Sequence, residues 1–152
     1  MGYDPNEALK LKNQLCFPLY AAARRVTGVY TPYLKPLGLT YTQYIVFMVL
    51  WEQDGLQVSE IGEKLLLDSG TLTPLLKKME AQGYLSRTRS KLDERSVIVT
   101  LTEKGKALKT QVGEIPLKAA QCVRLSPEEG KVLYDLLYKL LATTQDFTDD
   151  AQ

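Results

Sequence analysis

The sequence predicts a mostly helical chain of the α+β class, and three observations carry that reading. Apolar residues recur at helical spacing on both sides of a central stretch, residues 58–101. The first part of that stretch reads as two short helices with a tight turn between them. Its second part holds two strand-like runs, Leu85–Arg89 and Val97–Leu101, joined by a polar loop over residues 90–96. Helix, turn, helix, ribbon is the order of a winged helix-turn-helix, whose second helix enters the major groove of DNA.

Taken in order, Asp4-Pro5-Asn6-Glu7 reads as a capping box with proline at the first helical position. One helix is expected from there through Ala8, Leu11, Leu15, Leu19, Ala22, Val26 and Val29, bent near Gln14 by Pro18. Thr31-Pro32, Pro36 and Gly38 break and restart the chain. Thr40-Tyr41-Thr42-Gln43 is a second capping box, opening a helix through Tyr44, Phe47, Met48 and Trp51 that Asp54-Gly55 ends. Residues 56–58 have the length to pair with the ribbon as a third strand. Ser59 is the expected cap of the helix bearing Ile61, Leu65 and Leu66. Asp68 is the expected cap of the next, which bears Leu72, Leu75, Leu76 and Met79 and stops at a left-handed Gly83. Thr102 caps a long helix with Ala107, Leu108 and Val112, which Ile115-Pro116 kinks or interrupts. Ser126-Pro127-Glu128-Glu129 caps the last helix, with Val132, Leu133, Leu136, Leu137, Leu140 and Leu141, before a polar end at Asp149-Asp150.

With 152 residues, 45% of them hydrophobic and 24% charged, the chain has the length and composition of one globular domain. Its net charge is only +1, so any affinity for DNA must come from charge clustered on one face. No apolar run reaches the length of a membrane span and no signal-peptide pattern opens the chain, so no membrane association and a cytoplasmic location are expected. Histidine is absent, which removes imidazole metal sites and histidine-dependent triads; no metal and no cofactor are expected. Cys16 and Cys122 lie far apart, form no CxxC unit, and in a reducing compartment are either inert apolar residues or redox-active ones.

The second helix of the central stretch has a polar face suited to a groove. Asp68, Ser69, Thr71 and Thr73 sit near its N-terminus, where hydroxyls and backbone N–H groups meet phosphates and base edges. Lys77, Lys78, Arg87, Arg89, Lys91 and Arg95 crowd the same helix and the ribbon, against Glu80, Asp93 and Glu94. Singly, such features are most often a solvated helix and a charged hairpin. In this order and spacing they favour DNA binding, with Arg95 reaching the minor groove or backbone and Asp93 orienting it.

The run LLLDSGTLTPLLKKMEAQGYLSRTRSKLDERSVIVTLTEKG closely resembles the multiple-antibiotic-resistance-regulator (MarR) family of dimeric bacterial repressors. Its marks are the wing tip Asp93-Glu94-Arg95 and the exit Leu101-Thr102-Glu103-Lys104-Gly105. With NQLCFPLY near the start and LTYTQYIVFMVLWE after it, the chain is similar to the organic-hydroperoxide-sensing (OhrR) branch. The resemblance implies a single domain over 1–152, with a winged DNA-binding region at about 40–101. It further implies that the helices at about 5–37 and 102–147 interleave in a two-fold homodimer, as a reader of palindromic promoter DNA requires.

The resemblance also places Cys16 where that family keeps its peroxidatic cysteine. On a continuous helix its neighbours at i−4 and i+4 are Lys12 and Tyr20, an ammonium and a phenol that would favour the thiolate. Tyr30 and Tyr41 match tyrosines that reach this thiol from the partner subunit. Cys122 lies near the resolving-cysteine position, one residue later after the proline than the family pattern, a turn of about 100° on a helix; resolving thiol and bystander both stay open. The function implied is a redox-sensing repressor, not an enzyme, released by an organic hydroperoxide through Cys16 and an intersubunit disulfide to Cys122. The alternatives are a repressor released by a small aromatic ligand, a thiol peroxidase, and a purely structural helical dimer. No peroxidase motif surrounds Cys16, and a structural dimer leaves the wing unexplained.

Overall fold

A computed structural model of the chain describes residues 4–90, 93 and 95–144. It divides into two compact units, the first ending at Ala119 and the second beginning at Ala120. In the first unit, α1 (Pro5–Ala8) is a single turn whose cap Asp4 accepts the Asn6 N–H at 2.9 Å. A 3₁₀ turn at Leu11–Asn13 and an extended Gln14 follow, and α2 runs Cys16–Gly28. The single bent helix expected here is therefore broken. Pro18 has no N–H to give the Gln14 carbonyl and its ring crowds that carbonyl, so Gln14 leaves the helix. Pro18 then falls in the first turn of α2, where an N–H has no intrahelical partner to lose.

Next, α3 (Thr31–Leu34) and a 3₁₀ turn over Lys35–Leu37 lead to α4 (Tyr41–Glu52). The expected capping box opens α4: Gln43 N–H donates to Thr40 Oγ1 at 3.3 Å, and Thr40 N–H donates to Gln43 Oε1 at 2.9 Å. The strand β1 (Leu56–Gln57) runs directly into α5 (Val58–Leu65), so the cap of α5 is Gln57 and not Ser59. With no spacer between strand and helix, the last strand residue takes the cap, and Glu60 accepts its N–H at 2.6 Å.

The next helix, α6 (Ser69–Ala81), buries Leu72, Leu76 and Met79 along one face, the i, i+4, i+7 stripe of an amphipathic helix. Its end is a Schellman closure. Tyr84 N–H reaches the Met79 carbonyl at 3.1 Å, Gly83 N–H reaches the Glu80 carbonyl at 2.8 Å, and Gly83 stands at φ +76°. The strands β2 (Leu85–Arg89) and β3 (Val97–Leu101) pair antiparallel with Leu85 opposite Leu101. As expected, β1 adds a third strand, on the far edge of β3 with Leu56 opposite Val99.

Phe47, Leu50, Ile61, Leu72, Leu76, Met79 and Val99 form the centre of the core under this sheet. Each such side chain contributes about 1.5–3 kcal/mol by leaving water. The helix α7 (Glu103–Val112) is capped by Thr102. A Cβ on Gly105 would lie 2.1 Å from the Tyr84 carbonyl oxygen, and the Gly105 carbonyl accepts the Trp51 indole N–H at 3.0 Å. The glycine of the Leu-Thr-x-x-Gly exit is thus fixed by close packing of α7 on the strand entry. The interruption expected at Ile115-Pro116 falls just before α8 (Ile115–Cys122).

In the second unit, α9 (Pro127–Thr144) opens on a reciprocal cap between Ser126 and Glu129. Its Tyr134 and Tyr138 rings lie 4.5 Å apart. The polar end at Asp149-Asp150, with the last residues of the expected helix, lies outside the described residues.

Candidate nucleic-acid interface and sensor thiol

The start of α6 is built by Asp68. Its Oδ1 accepts the Thr71 N–H at 2.8 Å and its Oδ2 accepts the Thr71 hydroxyl at 2.7 Å. These two bonds hold the carboxyl below the usual aspartate range. Because the Thr71 hydroxyl proton is committed to Asp68, the exposed hydroxyl offers only lone pairs outward. Ser69, Lys77 and Lys78 are exposed, and Thr73 is half-buried. Pro74 lies inside α6 and has no N–H to give the Gly70 carbonyl four residues back.

The wing departs from the expectation at Arg87. Its guanidinium donates to Glu80 Oε2 from Nε at 3.0 Å and from Nη2 at 2.8 Å, and its backbone N–H donates to Oε1 at 2.9 Å. Arg87 is therefore tied to the recognition helix through Nε and Nη2, and Glu80 is held below the usual glutamate range by it. Sequence reading counted Glu80 only as an opposing charge; nothing in the spacing signals this pair. Arg89 and Arg95 are exposed. Asp93 Oδ1 accepts the Arg95 N–H at 3.0 Å and Oδ2 accepts the Ser96 hydroxyl at 2.7 Å, so it orients Arg95 through the backbone. Those bonds lower its carboxyl pKa, the Ser96 hydroxyl being the larger cause. Lys91 and Glu94 lie outside the described residues. Between wing and recognition helix opens a groove of about 250 Å³, lined among others by Ser59, Thr73, Arg87, Arg95 and Ser96.

Cys16 is the first residue of α2 and is exposed. Lys12 is not one helical turn before it: the 3₁₀ turn and the extended Gln14 intervene, so the i−4 relation fails. Tyr20 is one turn beyond, exposed, with the Arg24 guanidinium 5.5 Å from its ring centre. Leu15, Phe17 and Leu19 beside the thiol are exposed in the single chain. Tyr30 and Tyr41 are brought together, rings edge to face at 5.0 Å, with Tyr44, missed in the sequence, 5.8 Å from Tyr30. An aromatic at i+3 from Tyr41 was the available signal. Burial first, and the neighbouring phenols second, push Tyr41 and Tyr44 up, so both keep their hydroxyl protons. Cys122 closes α8 and is exposed.

A capped recognition helix beside a basic wing, on a three-stranded sheet, defines a winged helix-turn-helix regulator of the MarR type. Residues 28–112 match the family described as Transcriptional regulator SarA/Rot, and the chain belongs to that family. It is 50% identical to the organic hydroperoxide resistance transcriptional regulator of Bacillus subtilis (strain 168), over 89% of this chain and 92% of that protein. Among solved structures, over-oxidised AbfR bound to DNA, a Staphylococcus epidermidis protein, shares 36% identity, covers 92% of this chain and 98% of its own, and superposes with a TM-score of 0.75. Disulfide-formed AbfR shares 35% identity over 95% and 96%, with a TM-score of 0.60.

Proposed function

We propose that this protein is a redox-sensing transcriptional repressor that binds palindromic promoter DNA as a homodimer and releases it when an organic hydroperoxide oxidises Cys16. The observation that carries the reading is one chain joining a recognition helix and basic wing to an exposed cysteine flanked by uncovered apolar side chains. The name of the Bacillus relative supports the class of oxidant, and the DNA-bound, over-oxidised and disulfide forms of AbfR support thiol chemistry as the switch.

On DNA, α6 lies in the major groove with Ser69, Thr71 and Lys77 facing the base edges, Asp68 holding the helix start, and Thr73 and Lys78 toward the backbone. Arg89 and Arg95 on the wing meet phosphates or the minor groove. A backbone phosphate fits the groove beside Thr73 and Arg95. Arg87 acts through Glu80, by holding the wing. A second copy covers the exposed apolar residues of α2 and α9, among them Phe17, Leu19, Leu133 and Leu136.

In sensing, the Cys16 thiolate attacks the terminal peroxide oxygen and the O–O bond breaks. Alkoxide leaves with the other oxygen and takes a proton from solvent to become the alcohol, and Cys16 becomes a sulfenic acid. The partner subunit's Cys122 thiolate then attacks that sulfur, closing a disulfide and expelling hydroxide, which solvent protonates to water. One oxidant is consumed per switch without turnover, so the protein is a sensor rather than an enzyme, and it acts in the cytoplasm. No described helix is long and apolar enough to cross a membrane.

A mobility shift on the region upstream of the protein's own gene tests the reading. Reduced Cys16→Ser should bind and stay bound after organic hydroperoxide. Release of that variant would replace thiol oxidation with release by a small aromatic ligand. Non-reducing gels should show a covalent dimer in wild type, absent in Cys16→Ser and in Cys122→Ser. Release without a covalent dimer would make Cys122 a bystander.

A further inference from the structure

We infer that Gln43 is a positioning residue for the DNA switch. Its buried amide ties the first turn of α4, which carries Tyr41 and Tyr44, to the C-terminal end of the recognition helix α6. The inference rests on the redox reading for its direction, but its geometry stands without it.

Gln43 is the one fully buried polar or charged side chain among the described residues. Its oxygen is used in the cap, accepting the Thr40 N–H at 2.9 Å. A cap needs nothing more, and a glutamate serves as well. The amide nitrogen has a separate partner: it donates to Gln82 Oε1 at 3.1 Å, across 39 residues of chain. Gln82 is the residue that closes α6, and its own Nε2 donates to the Gly38 carbonyl at 3.4 Å. A buried donor with no water to turn to holds its partner firmly, because an unmade bond there leaves it desolvated and unpaired.

The same turn carries two of the clustered tyrosines. Tyr41 and Tyr44 pack on Tyr30, just beyond the end of α2, the helix that begins at Cys16. Two further bonds gather at the same end of α6. Lys104 Nζ donates to the Gln82 carbonyl at 2.7 Å, and the Tyr84 hydroxyl donates to the Leu37 carbonyl at 3.4 Å. The recognition helix is thus held at its far end, and its thirteen residues give a lever of about 20 Å back to Asp68. A shift of the Tyr30–Tyr41 pair moves the first turn of α4, and Gln43 passes that shift to Gln82.

The test uses full-length dimer, reduced and hydroperoxide-oxidised, on the upstream DNA of its own gene and on unrelated DNA. Gln82→Met keeps the volume and removes both the acceptor for Gln43 and the donor to Gly38, while Gln82→Glu keeps an acceptor for Gln43 and lacks only the donor to Gly38. Gln82→Met should bind the specific site about tenfold more weakly when reduced, with unrelated DNA held within about twofold. Its oxidised-to-reduced affinity ratio should shrink several-fold, and Gln82→Glu should restore both. Equal loss on both DNAs, an unchanged ratio, or no rescue would overturn the inference. If Gln82→Met does not fold, the Gln43 side-chain amide protons of wild type decide: slow exchange when reduced and fast when oxidised is expected, and equal protection overturns it. Wild type that ignores hydroperoxide would sink the redox reading instead, and the reduced specific-to-unrelated ratio would still judge Gln43.

Discussion

Arg87 and Glu80 join the wing to the recognition helix by three hydrogen bonds, two from the guanidinium and one from the backbone N–H. The pair links β2 to the last turn of α6, so the angle between ribbon and helix is set by side chains as well as by the sheet. A basic wing residue is here a strut, while Arg95 stays exposed.

The two arginines should therefore fail differently. Arg95→Ala should weaken binding to all sequences and flatten the slope of log affinity against log salt by about one. Arg87→Ala and Glu80→Gln should each lower affinity without changing that slope, and the double variant should lose no more than either alone. A slope change in Arg87→Ala would return Arg87 to the DNA surface.

Thr71 can accept from a base but has no proton to give, because Asp68 holds it at 2.7 Å. It should therefore select an amino group, adenine N6 or cytosine N4, in the major groove. Thr71→Val should cut specific binding by about tenfold and spare binding to unrelated DNA. Equal losses on both would assign Thr71 to a phosphate.

Acid should loosen the winged region through three carboxylates. Asp68, Glu80 and Asp93 all titrate lower in the folded protein than their ordinary values, because hydroxyl, guanidinium and N–H donors bind the ionised form. The stability they add is present above roughly pH 4–4.5, the unfolded values, and is lost as the pH falls through the lower folded ones. Urea midpoints should thus drop as pH goes from about 5 to 3. In Asp68→Asn the drop should be smaller, and an identical acid profile would remove Asp68 from the account.

Gly105→Ala should be among the most damaging small substitutions. The added carbon meets the Tyr84 carbonyl oxygen, a backbone atom with no freedom to turn aside. A loss of about 1–3 kcal/mol is expected, read as a lower thermal midpoint. A midpoint equal to wild type would mean that α7 can slide away from the strand.

Local signals were legible wherever one residue and its near neighbours decide the outcome. Both ribbon strands, the Thr40, Asp68 and Ser126 caps and the Gly83 closure follow from side-chain alternation and from oxygens placed two or three residues ahead of an N–H. The apolar stripe from Ala8 to Val29 misled because periodicity ignores the backbone, and Pro18 broke what it was expected to bend. Ser59 lost its cap to Gln57 because strand and helix abut. The Arg87–Glu80 and Gln43–Gln82 bonds, like the Tyr30–Tyr41–Tyr44 cluster, depend on how distant elements meet, which spacing along the chain does not encode.

The edge position of β1 bears on how the molecule assembles. Its partner is β3, with Leu56 opposite Val99, and not the nearer β2. During synthesis the helix-turn-helix therefore emerges before the strand that completes its sheet exists. Local helix contacts and the β2–β3 hairpin close small loops and form early, while β1 waits for a contact spanning more than forty residues. Asp54 then fastens the arrangement by accepting the Leu101 N–H at 2.9 Å, at the end of the last strand to arrive. The DNA-reading surface is thus sealed from its C-terminal side, and a nascent chain stopped short of Val97 carries a recognition helix with no wing to orient it.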